Sequence, residues 1–534
     1  MRTLRTGFLC LLAMLAAVAG FAADGPRVVT LDSPAPLVEI RVLVRAGAGS
    51  DPAGMEGLAK LTAHMLLEGG FGDPKKPVTK EQLAEITRPW GERAYPSVNV
   101  SREITVFSMT VPRDALAAYT KQVLQPMFGQ PLFDSKELDR LRNEALQTLR
   151  SNLRFEQIEL LGLVALDNVI FEGTGYAHPD GGTENGLAAV TPDAVRGFYT
   201  RFYRPANIVL GVNTTDASIT GALQSALAKI NEGTMITMEV PTILPPAAVK
   251  GRSVLIVAQP NAIATGIHAG FPLPLTRKDA DYWPLYVANI WFGTHRDDFS
   301  HLYDVIRSER GYNYGDYSYI EHFENRPYAL FPPPNVPRRY QYFSIWIRPV
   351  QHEYAYHLMK ALTWEIENFV RTGLTEVQCA LAKNKARVLY LNLAETGSRL
   401  LADRLDSAFY GMAPGYLESY LQRIDGVTCA QVNAALRKYL QAENLKYVVV
   451  TSKDAAPKLA EQIASNAPAW GKAPADYQID SKEENGQKTY TVPEGKLELL
   501  RRDAAWAHYW LDIPRDRVRI VPADKMFETS ALPQ

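Results

Sequence analysis

Short segments of alternating apolar and polar residues predict strands in the first half of the chain. The sequence VVTLDSPAPLVEIRVLVRAGAG alternates in this way after residue 27, and REITVFSMTV does so again from residue 102. Apolar residues recur at helical spacing in GLAKLTAHMLL, in DALAAYTKQVLQPMF and in a charged segment at 135–153. Strands and helices are therefore mixed in irregular order, without a regular βαβα alternation, which predicts an α+β fold.

The same order of elements begins again in the second half. SVLIVAQP is typical of a strand, DYWPLYVANIWFG of a helix and LTEVQCALAKNKARVLYLNL of a long charged helix. The ending VTCAQVNAALRKYL and LKYVVVTS echoes VTPDAVRGFYTRFYRPANIVLGV in the first half. Because the repeating unit is about 200 residues long, whole domains are repeated. We predict homologous domains at 27–230 and 254–454, a loop-like linker at 231–253 and a polar C-terminal extension at 455–534.

The first residues have the layout of a secretory signal. Two arginines precede an apolar run at 7–20, and small residues follow it up to Ala22. The run is shorter than the roughly 20 residues that a membrane span needs, and no later segment is apolar enough to be a span. We therefore predict a signal peptide at 1–22, cleaved near Ala22, and an exported protein that is periplasmic or secreted.

Composition and charge exclude some classes of partner. The hydrophobic fraction of 46% and the charged fraction of 22% are those of an ordinary globular protein. A formal net charge of −1 gives no sign of a nucleic-acid or anionic-membrane partner. Cys379 and Cys429 are the cysteines that follow the predicted signal peptide. They either pair in an oxidising compartment or stay as buried free thiols, and the sequence leaves both open.

One histidine and two glutamates together indicate a metal site with parts missing. His64 lies in the predicted helix GLAKLTAHMLLEGG, but the residue four positions earlier is Lys60 and the preceding residue is Ala63. An ammonium is a poor ligand and alanine cannot move a proton, so a hydrogen-bonded structural histidine is the alternative. Glu137 and Glu144 are seven apart and share one face of the charged helix, which is also typical of a solvated surface.

With this order and spacing, the sequence resembles the M16 family of metallopeptidases, the group of insulinase, pitrilysin and mitochondrial processing peptidase. In members of that family the corresponding helix reads Gly-Leu-Ala-His-x-x-Glu-His-Met-Leu, and two glutamates seven residues apart follow later in the chain. The resemblance places the first family histidine on Lys60, the base glutamate on Ala63 and the second histidine on His64. It places the distal glutamates on Glu137 and Glu144. It implies a vestigial zinc site that keeps two ligands, His64 and Glu144, with Glu137 beside them.

The resemblance continues through FYTRFYRPANIVLGV, DYWPLYVANIWFG and YDVIRSERGYNYG. It implies two antiparallel-rich αβ domains that form half of a clam-shell. In the family an arginine and a tyrosine seven apart hold the substrate backbone, and Arg307 and Tyr314 have that spacing; a surface arginine and a packing tyrosine are the alternative. Arg93 stands where the family has asparagine at the edge strand. The proline- and aromatic-rich insertion at 323–343 is a candidate contact loop or a surface excursion without a role.

These substitutions predict a protein that does not catalyse by itself. We expect a non-catalytic M16 subunit without a cofactor, which binds peptides and forms a heterodimer with an active zinc-dependent homologue in periplasmic proteolysis. The alternatives are an active metalloendopeptidase that holds zinc in a degenerate site, and a scaffold or peptide-binding module without proteolysis. We also expect the Lys60 ammonium to pair with Glu144 in place of the metal, because a carboxylate buried without a partner is costly.

Overall fold

The computed structural model describes most of the chain after the predicted signal peptide. The described residues are 25–231, 243–324, 334–394, 396–413, 416–477 and 479–533. The signal peptide predicted at 1–22 lies outside them, as do parts of the linker at 231–253 and of the insertion at 323–343. Within the described ranges, no helix has both the length and the apolar composition to cross a membrane.

A five-stranded sheet forms the centre of the first half. The strands of this half are β1 (Arg27–Thr30), β2 (Leu37–Val44), β3 (Phe71–Asp73), β4 (Lys76–Val78), β5 (Ser97–Val100), β6 (Thr105–Pro112) and β7 (Ile208–Val212). The sheet order is β1-β7-β2-β6-β5, and β3 and β4 form a separate hairpin. Alternate residues of β2, namely Val38, Ile40 and Val42, lie in one core because strand side chains alternate between the two faces.

Helices cover this sheet and complete its core. They are α1 (Leu58–Glu68), α2 (Lys80–Thr87), α3 (Leu116–Tyr119), α4 (Gln125–Gly129), α5 (Ser135–Gln147), α6 (Ile158–Ile170), α7 (Glu184–Ala189), α8 (Pro192–Phe202) and α9 (Ala217–Ala228). A π-helical segment, Thr148–Glu156, continues α5. Helix α1 packs against α8 and contributes Leu58, Leu61 and Leu66 to the core. Its opposite face is therefore free to form a site.

The second half repeats this arrangement around a six-stranded sheet. Its strands are β8 (Ser253–Gln259), β9 (Thr265–Leu273), β10 (Asp316–Tyr319), β11 (Gln341–Val350), β12 (Lys446–Ser452), β13 (Asp480–Glu484), β14 (Gln487–Thr491) and β15 (Val518–Pro522). The sheet order is β10-β11-β9-β12-β8-β15, and β13 and β14 form a hairpin. Strand β12 pairs parallel with β8 and antiparallel with β9, as β7 does with β1 and β2. The predicted α+β fold with two homologous domains is confirmed.

Eight helices are described in the second half. They are α10 (Tyr282–Gly293), α11 (Ala355–Thr372), α12 (Glu376–Leu393), α13 (Gly397–Phe409), α14 (Tyr420–Gly426), α15 (Cys429–Tyr439), α16 (Ala455–Ser465) and α17 (Glu494–His508). Helix α17 packs on α11, and α16 packs on β15. Helices α16 and α17 therefore pack on the second sheet and its helices. The domain boundaries at 231–253 and 454 stay predictions.

Each half contributes one helix to the sheet of the other half. Helix α6 packs on β9 and β12, and a Cβ atom added at Gly162 would lie only 2.3 Å from the His268 Nδ1 atom. Glycine is therefore needed for this close approach. Helix α13 packs on β1 and β7, where Leu405 joins Leu43 and Val209 in a small core. The two halves thus share their cores.

A buried ion-pair network also joins the halves. The Asp167 carboxylate on α6 accepts from Arg102 Nη2 at 3.2 Å and from Arg338 Nη2 at 3.0 Å. Burial alone would raise the pKa of Asp167, but Arg338, His322 and Arg102 lower it to about 2. Arg338 belongs to the described end of the predicted insertion at 323–343, so this end of the insertion contacts the first domain.

The C-terminal residues return to the first half. Met526 O accepts a hydrogen bond from Arg154 Nε at 2.8 Å, and Phe527 O accepts one from the Glu184 N–H at 2.9 Å. Arg154 lies in the π-helical segment after α5, and Glu184 is the first residue of α7. The chain thus adds β15 to the edge of the second sheet, and its last residues then accept hydrogen bonds from donors of the first domain.

Cys379 and Cys429 form a disulfide in the structure, with their Cα atoms 5.7 Å apart. Both half-cystines are buried, and the bond joins α12 to the start of α15. Of the two alternatives that the sequence left open, the structure has the paired one. Disulfides persist mainly in oxidising compartments.

Candidate functional site

Helix α1 presents three polar side chains on the face opposite the core. Gly57 precedes the helix with a φ of 109°, which glycine adopts without strain. The Asp51 carboxylate accepts from the Gly57 and Ala59 N–H groups, both at 2.7 Å, and so caps the start of the helix. Lys60, His64 and Glu68 follow at spacings of four, and each is only partly buried. This row of side chains faces α5.

Helix α5 completes the site with a row of charged side chains. Arg140 lies between Glu137 and Glu144, and its Nε and Nη1 atoms are 2.8 Å and 2.7 Å from their carboxylates. Its Nη2 atom lies 2.6 Å from Glu68 Oε2 on α1. One guanidinium therefore binds three carboxylates from two helices. We call Glu68, Glu137, Arg140 and Glu144 the Arg140 cluster.

Glu68 is the most buried carboxylate of the Arg140 cluster, with 13% of its side chain exposed. It also lies 2.6 Å from Lys80 Nζ and 3.5 Å from His64 Nδ1. The contact with His64 contributes most to lowering the pKa of Glu68 to about 2, Lys80 and Arg140 add to it, and burial opposes it. Because this pKa lies below the usual 4.5, the contacts stabilise the folded protein above about pH 4.5 and are lost as the pH falls toward 2.

A cavity of about 390 Å³ opens between α1, α5 and α6. Its polar side consists of Lys60, His64, Glu68, Glu144 and Thr148. Its apolar side consists of Leu61, Leu141, Ala145, Leu149, Leu153, Leu160 and Val164. The loop at 179–182 closes a further side, with the Lys60 Nζ atom near Gly181. A cavity with one apolar wall and a few polar groups is suited to bind an apolar side chain beside a polar backbone.

Arg307 and Tyr314 come close together in the second domain. Arg307 lies in a π-helical segment, Tyr303–Ser308, and its guanidinium carbon is 5.1 Å from the Tyr303 ring centre and 5.9 Å from the Tyr314 ring centre. Tyr314 is 77% exposed. The Arg307 Nε atom is buried without a hydrogen-bond partner in the described part of the chain. Neither residue lines the cavity beside α1.

Two family models match the chain. The insulinase (peptidase family M16) model matches residues 27–161, and the peptidase M16 inactive domain model matches residues 189–386. Together these segments span more than half of the chain. The chain belongs to the M16 peptidase family.

Similar M16 proteins are zinc proteases by name. An uncharacterized zinc protease of Mycobacterium leprae is 24% identical over 271 residues, which are 49% of this chain and 56% of that protein. One of Mycobacterium tuberculosis is also 24% identical over 271 residues, 49% of this chain and 57% of that protein. The match thus spans about half the length of these relatives.

Solved structures with the same M16 fold include an inactive-domain protein and a periplasmic protease. A peptidase M16 inactive domain from Pseudomonas fluorescens has a TM-score of 0.69 and 20% identity, covering 81% of this chain and 96% of that one. The periplasmic protease PqqL from Escherichia coli has a TM-score of 0.62 and 16% identity, covering 86% of this chain and 49% of that one. The first half of PqqL has a TM-score of 0.60 and 16% identity, and 94% of it is covered by 86% of this chain.

The residues that the sequence resemblance assigns to the zinc site do not fit a zinc ion. Lys60 offers an ammonium in place of an imidazole, and the Glu144 carboxylate is bound by Arg140. His64 is the remaining donor at the M16 positions, and its Nδ1 atom faces Glu68. Among the described residues, no group of three or more His, Cys, Asp or Glu side chains converges as metal ligands do. Ala63 is fully buried and has no group that accepts a proton.

The expected ion pair between Lys60 and Glu144 was wrong. Glu144 is bound by Arg140 instead, and Lys60 forms no ion pair with it in the described chain. The physical reason is geometry, because Arg140 lies four residues before Glu144 on the same helix, where side chains meet. A cation does neutralise Glu144, but it comes from α5 and not from α1, and Glu144 is 60% exposed and not buried as expected.

Sequence reasoning missed Glu68, Arg140 and Tyr303. Arg140 follows Glu137 by three residues and precedes Glu144 by four, and Glu68 follows His64 by four, which are the spacings of neighbouring side chains on a helix. These signals were available but common in charged helices. Arg93 lies exposed in a 3₁₀ turn, Glu92–Ala94, just before the edge strand β5.

Replacing Arg140 by methionine tests the cluster. We expect Arg140→Met to lower the free energy of unfolding by about 1–2 kcal/mol at pH 7, because three carboxylates lose their shared partner in a partly exposed site. The loss should shrink at pH 3, where the wild-type protein has itself begun to lose the contribution of Glu68. Urea unfolding at the two pH values measures the difference.

The matched control for this variant is Arg142→Met. Arg142 lies on the same helix but pairs with the exposed Asp139, at 2.8 Å, outside the Arg140 cluster. The loss of free energy of unfolding that Arg142→Met causes should be about the same at pH 7 and at pH 3. An Arg140→Met loss of equal size at both pH values would contradict the assigned role of the carboxylates.

Proposed function

We propose that this chain is a non-catalytic M16 subunit that binds peptides and works with an active zinc-dependent M16 homologue in the periplasm. The observation that carries the proposal is the Arg140 cluster. A guanidinium holds Glu144, the carboxylate that a zinc ion would need, with a 2.7 Å contact. Lys60 and Ala63 replace the groups that would bind the metal and accept a proton.

Peptide binding is supported by two separate features. The cavity beside α1 has an apolar wall from α5 and α6 that suits an apolar side chain. In the second domain, the half-buried Arg307 lies beside the exposed Tyr314, with its guanidinium carbon 5.9 Å from the Tyr314 ring centre. An arginine donor and a tyrosine hydroxyl are suited to bind backbone carbonyls of an extended peptide.

Export and a partner are supported by the chemistry of the chain and by its fold. A buried disulfide between Cys379 and Cys429 fits an oxidising compartment, as does the predicted signal peptide. The fold spans 49% of the periplasmic protease PqqL and most of its first half. A second M16 chain would supply the counterpart of the other half of PqqL.

A binding assay tests the proposal. The purified protein is expected to bind an unstructured, fluorescein-labelled apolar peptide and to leave it uncleaved by mass spectrometry. Arg307→Ala should weaken binding about tenfold, because a charged hydrogen bond to the peptide is lost. The matched control is Arg371→Ala, which removes an arginine that bonds Asn368 at the end of α11. It should leave the affinity unchanged.

Three results would contradict parts of the proposal. Cleavage that is lost in His64→Ala would indicate an active enzyme with a degenerate site. Absence of any peptide binding would favour a scaffold role. Failure of the protein to bind a zinc-containing M16 chain, or to alter cleavage by it, would contradict the partnership.

A further inference from the structure

The chain segment that carries Arg307 is held at both of its ends. At the start, His301 Nε2 lies 2.6 Å from Glu365 Oε2 on α11. At the end, the Arg310 side chain is buried and donates from Nε to Asp503 Oδ1 at 2.7 Å on α17. Arg307 lies between these two contacts, three residues before Arg310. Its position therefore depends on α11 and on α17.

Three residues of helix α17 contact the Arg310 guanidinium. Besides Asp503, the Leu499 carbonyl accepts from Arg310 Nη2 at 3.2 Å, and the guanidinium carbon lies 4.3 Å from the Trp506 ring centre. Trp506 is fully buried and donates from Nε1 to Glu365 Oε1 at 3.1 Å. Glu365 therefore contacts His301 at the start of the segment. It also contacts Trp506, which packs on Arg310 at the end of the segment. The contacts form one connected network.

Residues after α16 hold the backbone between Arg307 and Tyr314. Lys472 Nζ donates to the carbonyls of Arg310 and Gly311 at 2.7 Å and 3.1 Å, and the Lys472 N–H donates to Tyr312 Oη at 3.0 Å. Gly311 has a φ of 64°, so the chain turns sharply at this point. The turn directs the chain toward Tyr314, two residues after Tyr312.

Lys472 and the supporting residues of α17 lie outside both matched family segments, 27–161 and 189–386. We propose that the C-terminal contacts, defined as Lys472, Leu499, Asp503 and Trp506, position Arg307 and Tyr314 for peptide binding. Lys472 and Asp503 are positioning residues, because they act on the peptide through the 307–314 segment. This inference rests on the proposed role of Arg307 and Tyr314 in binding peptide.

Lysine 472 offers the sharpest test because it is partly exposed and bonds only to backbone and to Tyr312 in the described chain. Lys472→Met should weaken binding of the fluorescein-labelled apolar peptide about fivefold. In a background that carries both Arg307→Ala and Tyr314→Ala it should have no further effect, since both groups that it positions are gone. Lys472→Arg should restore binding, because its guanidinium also donates to two carbonyls. The matched control is Arg515→Met, which removes a surface ion pair with Glu461 in the same part of the chain.

Hydrogen exchange of the amides at 309–314 gives a second readout that does not need a peptide. Lys472→Met and Asp503→Asn should accelerate this exchange, and Arg515→Met should not. If Arg307→Ala weakens binding but Lys472→Met does not, the inference is wrong while the proposed function stands. If the wild-type protein binds no peptide, the proposed function fails. Unchanged exchange in Lys472→Met would overturn the positioning role in either case.

Discussion

Asp167→Asn is expected to lower the free energy of unfolding by about 3–5 kcal/mol at pH 7, because it leaves the buried Arg338 without its paired carboxylate and Arg102 with Asp180 alone. Arg102 and Arg338 come from different domains and are each 2–3% exposed. Neither can turn to solvent without breaking the packing around it. The variant should therefore weaken the junction between the halves as well as the fold.

The effect of Asp167→Asn should depend on pH in a defined direction. The pKa of Asp167 is lowered to about 2 from its usual 3.8, so its contribution is complete above about pH 4 and disappears as the pH falls toward 2. Denaturant unfolding of both proteins at pH 7 and pH 3 measures this. Asp193→Asn is the matched control, because Asp193 is 96% exposed and pairs with Arg196 on the surface. A loss no larger than that of the control would show that the network contributes little.

The combination of Lys60→His with Arg140→Met is expected to create zinc binding at about one ion per chain. The first change supplies an imidazole four residues before His64, on the same helix face. The second releases Glu144 from the guanidinium that holds it at 2.7 Å. Lys60, His64 and Glu144 line the same cavity, so the three donors start in one place.

Single variants and a matched double variant make this test selective. Lys60→His alone should bind zinc much more weakly, since Arg140 still occupies Glu144. Lys60→His with Arg142→Met should behave like the single variant, because Arg142 pairs with Asp139 and not with the cluster. Metal content after dialysis measures the stoichiometry. Equal zinc content in Lys60→His with and without Arg140→Met would show that Arg140 does not block the site.

The repeated order of elements was readable from the sequence because each domain has its own strand and helix periodicity. The packing of α6 on the second sheet and of α13 on the first sheet could not be predicted from the sequence. An apolar helix face does not specify which sheet it covers. The disulfide was undecided for a similar reason, because a Cα separation of 5.7 Å is a tertiary property.

At the candidate site, the sequence predicted which residues lie near one another better than it predicted which of them form ion pairs. His64 and Glu144 line one cavity, and Glu137 and Glu144 share one face of α5 through Arg140. The partner of Glu144 was assigned to the wrong helix because several cations lie within reach of a charged helix surface. Choosing among them requires side-chain geometry, which depends on how α1 packs against α5.

The packing of α6 on the second sheet and of α13 on the first sheet has a mechanical consequence. A hinge between the two halves would need to pull Leu405 from the small core with Leu43 and Val209, and α6 from β9 and β12. Both movements expose apolar surface and are costly. The chain should therefore move as one rigid shell. If a bound peptide is enclosed by opening and closing, that motion has to occur between this chain and the partner that we propose.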